Sequence, residues 1–558
     1  MQKPDYQNEY FNIASYLPYM AQFMPYKRAV IFPDGRDKNG RVTYSHLTFA
    51  QLNNECDKIA DGLSKYGIKK GMRVLFMIPP SLDFIATAFA LFKIGAVPIM
   101  IDPGMGKLSL LKCIEMVEPE AVVAIPLVHA VKSVFKKYFK SVKYNVTVGT
   151  RWFWGGLTLE TIKNKGNAPF EYCQTKTSDP AAILFTSGST GPAKGVLYEH
   201  SIFGAQVALL NSFFNFSPDE IDLSAFPLFA LFDVALGMSC VVPDMDPTKP
   251  AFVNPAKIVE AIKNQGITSS FGSPAIWIRV ADYCIEKGIV CDSMKRILIA
   301  GAPVSGAIVE KVKRMLPADA EVFTPYGATE SLPLCAMRGA AILNETWPKT
   351  REGAGICVGK PNDAITARII KISDDPIENF SDEIILKPFE IGEITVSGPV
   401  VTKEYFRNAD ATLKAKIKDG DKIWHRMGDV GYIDDSGRIW FCGRKNHRVV
   451  CGEKTYFSIR CEAIFNNHPD VFRSALVGAG EGEKRRPVIV IEPRPNKFPK
   501  LEIEKLGFEK ELLEMAKKSE ITKDINDILF IEKMPVDIRH NAKIFREKLE
   551  SWAGGILK

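Results

Sequence analysis

Ile183-Leu184-Phe185-Thr186-Ser187-Gly188-Ser189-Thr190-Gly191-Pro192-Ala193-Lys194-Gly195-Val196 runs from an apolar strand pattern into a loop of glycines and hydroxyl residues that ends at a lysine. The composition suits a polyanion. Glycines let the backbone approach phosphate oxygens, successive N–H groups form an anion nest, and hydroxyls and an ammonium add donors. Thr186, Ser187, Gly188, Ser189, Thr190 and Lys194 are therefore the candidate phosphate cradle. A flexible Ser/Gly turn is the plainer reading, but it leaves this density of donors after a buried strand unexplained. A Walker A loop needs Gly-Lys followed by Ser or Thr, whereas Lys194 stands between Ala193 and Gly195. That weakens a kinase-like or GTPase-like reading.

Outward from this loop, strand and helix patterns alternate. Residues 49–66 read as an amphipathic helix, 73–78 as a strand, 82–92 as a helix and 96–101 as a strand. Further apolar strand patterns fall at 121–126, 296–300 and 321–324, most with turn residues and a helical pattern after them. The alternation predicts parallel-type sheets covered by helices, with ligand loops at the strand ends. After about residue 360 short strand patterns predict a β-rich subdomain. A boundary is expected at 443–447, followed by enough strand and helix for one small α/β unit. The predicted fold class is thus α/β: a large N-terminal domain, residues 1–443, and a small mobile C-terminal domain, residues 444–558.

Composition excludes several classes. A chain of 558 residues exceeds one core of ordinary size and predicts two or more domains. Its 72 basic and 65 acidic residues are mixed along the chain, for a net charge of +7, which suits anionic substrates but not nucleic acid. Eleven cysteines without a C-x-x-C pair or a His/Cys cluster predict free thiols, no disulfide framework and no zinc. The N-terminus lacks a basic region followed by an apolar stretch, so a cytoplasmic location is expected. The most membrane-like run, residues 84–101, is interrupted by Lys93, Gly95 and Pro98 and predicts a buried helix and strand, with no transmembrane segment.

The string from Thr186 to Gly195 resembles the phosphate loop of the adenylate-forming superfamily: acyl-CoA synthetases, peptide-synthetase adenylation domains and firefly luciferase. Four more segments match that superfamily in order, so the resemblance spans nearly the whole chain. Gly301-Ala302-Pro303 resembles the segment lining the adenine. Tyr326-Gly327-Ala328-Thr329-Glu330 resembles the motif whose tyrosine stacks on adenine, which implies that Thr329 contacts the α-phosphate and Glu330 helps hold Mg²⁺. Asp429 resembles the aspartate on the ribose hydroxyls, Arg444 the nearby nucleotide-contacting arginine, and Lys543 the C-terminal catalytic lysine. The resemblance implies ATP and Mg²⁺ as cofactors and a carboxylic acid as the second substrate. Lys543 would bridge the attacking carboxylate and the α-phosphate, then leave as the small domain rotates.

The departures from common acyl-CoA synthetases narrow this. Ala230 stands in Phe226-Pro227-Leu228-Phe229-Ala230 where relatives often carry histidine. Asn446 replaces a common aspartate, Glu453 falls where a glycine lines the pantetheine path, and Ala542 replaces the glycine before the lysine. CoA is therefore a disfavoured acceptor. Asp233 reads as the N-cap of the following helix. The combination looks most like the bacterial β-lactone synthetases of long-chain olefin biosynthesis, in which the 3-hydroxyl of a 2-alkyl-3-hydroxy fatty acid closes on its own acyl-adenylate. The implied substrate is a long-chain hydroxy or fatty acid, and a complex with other enzymes of the same lipid pathway fits the same resemblance. His447 is a candidate base for the hydroxyl. A fatty acyl-CoA synthetase, a loader of carrier-protein thiols, a luciferase-like oxygenase and a non-catalytic binding module remain as alternatives. Segments 205–216, 228–238 and 271–277 are candidates for the acyl pocket or for plain core.

Overall fold

The computed structural model describes residues 2–186, 193–536 and 544–557. The predicted helix at 49–66 forms as Phe49–Tyr66, and its ends show why. Thr48 and Gln51 cap its start reciprocally, at 3.3 and 2.9 Å, and Gly67 ends it in the left-handed region at φ 118°. Leu52, Cys56, Ile59, Ala60 and Leu63 form its buried stripe. The run at 84–101 becomes helix Leu82–Ile94 and strand Val97–Met100, both buried. Lys93 lies within that helix at 1% exposure and pairs with Asp57, with Asn53 accepting a second bond at 2.7 Å. Among the described residues no helix is long and apolar enough to cross a membrane.

Two large sheets carry the N-terminal part. One orders seven strands as Leu157–Thr158, Tyr144–Thr147, Ala121–Ala124, Arg73–Met77, Val97–Met100, Pro180–Thr186 and Lys194–Glu199. The other has eight, with Glu321–Ala328, Arg296–Ile299, Ser269–Gly272, Ile221–Ser224 and Ser239–Val241 at its centre. Both are parallel inside and antiparallel at an edge, so the expectation of parallel-type sheets needs one correction. After Pro180–Thr186 the chain returns at once as the antiparallel strand Lys194–Glu199, with no helix between. The Val-Leu-Tyr run at 196–198 favours a strand, and Gly195 lets it pass close to Ile183 and Phe185.

The predicted β-rich region is an antiparallel sheet built on the strands Gly392–Ser397, Lys422–Ile433 and Ile439–Arg444. Beyond Arg444 the hairpin Val449–Cys451/Lys454–Tyr456 shares a core with helix Ser458–Phe465 and strands Val471–Ala479, Arg486–Pro493 and Asp527–Phe530. The eleven cysteines are free thiols, most of them buried.

Candidate active site

A cavity of about 1470 Å³ opens where the two large sheets, the β-rich sheet and the chain at Ile544–Arg546 meet. Lys194, Gly301, Ala302, Pro303, Tyr326, Gly327, Thr329, Glu330, Asp429 and Arg444 all line it, although they come from five separate stretches of sequence. Thr186 ends its strand with its Cα paired to Lys194, at the same edge. Ser187, Gly188, Ser189, Thr190 and Lys543 lie outside the described residues. Ile544, Phe545 and Arg546, directly after Lys543, border the cavity.

Local geometry explains the placement. Strands Glu321–Ala328 and Ser331–Arg338 form a hairpin in which Ala328 pairs with Ser331, leaving Thr329 and Glu330 at the tip. Tyr198 donates its hydroxyl to the Thr329 carbonyl. Thr402 donates its backbone N–H to the Glu330 carbonyl at 2.9 Å, and Tyr405 donates its hydroxyl to Glu330 Oε1 at 2.7 Å. The tip is held from both sides. The Lys194 ammonium sits 4.9 Å over the Tyr405 ring, so this cation and the Glu330 carboxylate share one aromatic support.

On the opposite wall, Tyr326 donates its hydroxyl to Asp429 Oδ2 at 2.6 Å, and Arg444 Nη1 approaches Asp429 Oδ1 at 3.0 Å. The arginine comes in off the N–H direction, so Oδ1 makes no hydrogen bond although it is buried. It is a ready acceptor. Burial raises the Asp429 carboxyl above its ordinary range and Arg444 opposes that; burial also pushes the Tyr326 phenol well up, with the Asp429 charge adding to it. Gly428, at φ 67°, turns the long strand Lys422–Ile433 just before Asp429. Gly443 lies so close to Ser458 Oγ that a side chain there would collide, which fixes the approach to Arg444.

Several residues of the site went unread in the sequence. Tyr198 and Tyr405 hold the hairpin tip, and His425 lines the cavity with Nδ1 at 3.3 Å from the Ala415 carbonyl. Lys416, 6% exposed, donates to the Thr402 carbonyl; burial pushes its ammonium down to about 7, and Glu330 opposes the shift. None of these sits in a recognisable string. Of the acyl-pocket candidates, Leu210, Phe214, Leu228, Phe229, Phe232, Phe271 and Ile276 border the cavity, whereas Trp277 belongs to the core behind it. The cavity also reaches Phe84, Phe89 and Phe92 on helix Leu82–Ile94, a wall the sequence reading did not include.

Two expectations change. Asp233 is not an N-cap: it lies in the last turn of helix Phe229–Leu236, whose N-cap is Leu228. Its side chain turns inward, where Ser224 donates to Asp233 Oδ2 at 2.6 Å and Asp222 lies on the same hydroxyl at 3.0 Å. The residue is polar in an apolar run because strand Ile221–Ser224 offers it partners that local sequence does not reveal. His447 does border the cavity, but burial, with Arg546 and Arg444 nearby, lowers its imidazole to about 3, which makes it a weak proton acceptor.

A Mg²⁺ ion fits this donor set in a limited way. Among the described residues no group of three or more His, Cys, Asp or Glu could hold a metal ion. Glu330 offers a hard carboxylate beside Lys194, which suits an ion carried mainly by phosphate oxygens.

Comparison with known proteins agrees with this arrangement. The family described as AMP-binding enzyme matches residues 20–406. The chain is 43% identical over 549 residues to an olefin beta-lactone synthetase of Xanthomonas campestris pv. campestris, covering 97% of each. It is 41% identical over 556 residues to an olefin beta-lactone synthetase of Stenotrophomonas maltophilia, covering 98% of this chain and 99% of that protein. In fold it is similar to an anthranilate CoA ligase solved with anthranoyl-AMP, with a TM-score of 0.79 and 17% identity over 98% of each chain. With the motif residues of the sequence gathered on one cavity, and the family match spanning most of its length, this chain belongs to the AMP-binding enzymes and is an AMP-forming ligase.

Proposed function

We propose that this ligase activates a long-chain 2-alkyl-3-hydroxy acid with ATP and closes the acyl-adenylate to a β-lactone, releasing pyrophosphate and AMP. The observation that carries this reading is the identity of 43% over nearly the whole chain with a protein named olefin beta-lactone synthetase. The cavity supports it by joining the polar residues around Asp429 and Glu330 to apolar walls on helices Leu82–Ile94 and Phe229–Leu236.

In this reading Tyr326 and Gly301-Ala302-Pro303 border the adenine, and the orphaned Oδ1 of Asp429 accepts from a ribose hydroxyl, with Arg444 alongside. Lys194 and the loop at 186–190 offset the β- and γ-phosphate charge, and Thr329 meets the α-phosphate. Glu330 would hold Mg²⁺, which supplies further neutralisation of the triphosphate when bound. The substrate carboxylate attacks the α-phosphorus and the bond to pyrophosphate breaks, with Lys543 bridging the two anions. The 3-hydroxyl oxygen then attacks the acyl carbonyl carbon, the bond from that carbon to the AMP oxygen breaks, AMP leaves with the bonding pair, and the hydroxyl proton passes to water. Its nucleophile is already tethered, so positioning replaces capture of a third reactant. Residues 1–443 and 444–558 act as two bodies hinged at 443–447, and rotation withdraws Lys543 between the steps.

Mass spectrometry of products from the purified enzyme with Mg²⁺-ATP and such an acid, with and without CoA, tests this. The expected product is lighter than the acid by one water and forms without CoA. Acyl-CoA as the sole product, formed only when CoA is supplied, would replace the lactone reading with that of an acyl-CoA synthetase.

A further inference from the structure

Helix His200–Phe214 runs along the apolar part of the cavity, and the residues it presents there are Phe203, Gln206, Leu210 and Phe214. Their spacing of three, four and four places them on one stripe of roughly 16 Å at 1.5 Å rise per residue. At one end the Phe203 ring lies 5.8 Å from Phe92, and the wall continues to Phe84 and Phe89. At the other, Leu210 adjoins Phe229 and Phe271, whose rings stack at 3.8 Å. Gln206 is the polar member of the stripe and stands between two apolar ends.

Its amide is fixed in orientation. Nε2 donates to the Leu332 carbonyl at 3.1 Å and lies 3.5 Å from the Tyr198 hydroxyl, which itself donates to the Thr329 carbonyl. The nitrogen must face that carbonyl, so the oxygen faces away from it. Gln206 is 1% exposed, and its Oε1 has no hydrogen-bond partner among the described residues. A buried, unpaired amide oxygen against apolar walls is costly unless an occupant of the cavity satisfies it. The hydrogen-bond chain through Tyr198 ties the amide nitrogen to the hairpin tip at which the carboxylate is to be activated, so the oxygen on the same amide carbon lies on the far side of the nitrogen from that tip.

We infer that Gln206 Oε1 accepts a hydrogen bond from a hydroxyl close to the carboxyl group of the acid, with hydrocarbon running to both sides of it. This deepens the proposed function and rests on it for the identity of the acid. It assigns the selection of a hydroxylated over a plain branched acid to one side chain, because a site built around a hydroxyl leaves its own acceptor unpaired when the hydroxyl is missing.

The test is ATP–pyrophosphate exchange with a 2-alkyl-3-hydroxy acid and with the same acid lacking the hydroxyl, in the wild type and in Gln206→Met. Gln206→Leu repeats the test in case the first variant misfolds. The wild type should favour the hydroxy acid by roughly tenfold or more in kcat/KM, and the variants should shrink that ratio to about threefold or less. Comparing two acids within each protein cancels damage common to both. A ratio unchanged by substitution, or an equal loss on both acids, overturns the assignment. Exchange with neither acid in the wild type overturns the assignment together with the proposed function. Discrimination lost in the variants while the wild type yields only acyl-CoA upholds Gln206 and removes the lactone step alone.

Discussion

Asp429 shows how a site residue is made by its neighbours. It is 5% exposed, one oxygen takes the Tyr326 hydroxyl, and the other lies near Arg444 without a hydrogen bond. A carboxylate oxygen left without a hydrogen-bond donor inside a protein suits a ligand hydroxyl. Asp429→Ala removes both the acceptor and the partner of Tyr326, and should raise the KM for ATP by about 10- to 100-fold with a smaller change in kcat, read by steady-state pyrophosphate release. An unchanged KM would show that the ribose lies elsewhere. The aspartate was legible from its Gly-Asp-Val-Gly string. Its pairing with Tyr326 was not, since 103 residues separate the two.

At the scale of elements, helix Phe229–Leu236 carries Asp233 into a buried group with Asp222 and Ser224 behind the apolar wall of the cavity. Burial raises both carboxyls, Asp222 to about 7 and Asp233 well above its ordinary range, with the charge of Asp222 adding to the second. The folded pKa values lie above the unfolded ones, so between about 4 and 7 the folded state binds more protons than the unfolded one. Stability is therefore highest at the acid end of that window and falls as pH rises through it. Asp233→Asn keeps an acceptor for Ser224 and carries no charge. It should raise the thermal midpoint by a few degrees at pH 8, roughly 1–3 kcal/mol, with the gain shrinking as pH falls and vanishing below about pH 4. A gain equal at both pH values would mean that the pair does not titrate in this range. A helix reading places Asp233 by local capping rules, whereas the strand beside it decides which way the side chain turns.

At the scale of the molecule, Arg546 ties the segment that follows Lys543 to the C-terminal unit. It meets Glu462 of helix Ser458–Phe465 at 2.6 and 3.0 Å, with the glutamate buried and the arginine partly so, and also donates to the Leu476 carbonyl at 3.1 Å. Arg546→Ala strands the Glu462 charge, which should destabilise the C-terminal unit by about 3–5 kcal/mol. It also loosens residues 544–546 at the cavity wall. The kcat for adenylation should fall by about tenfold or more while the KM for ATP changes little, because Tyr326, Asp429 and Arg444 remain in place. Limited proteolysis should cut the C-terminal unit faster in the variant. An equal rise in KM would place the effect on nucleotide binding instead.

The alternation of strands and helices was determined by the sequence alone, because period, capping and turn chemistry act over a few residues. Tertiary structure alone decided which distant side chains meet. Tyr198 reaches Thr329 across 131 positions, Tyr405 reaches Glu330 across 75, and Gln206 reaches Leu332 across 126. The same holds for the second apolar end at Phe84, Phe89 and Phe92, which reads in sequence as ordinary helix core. Packing one sheet against another sets these distances, and no local pattern in the chain encodes the offset between two sheets.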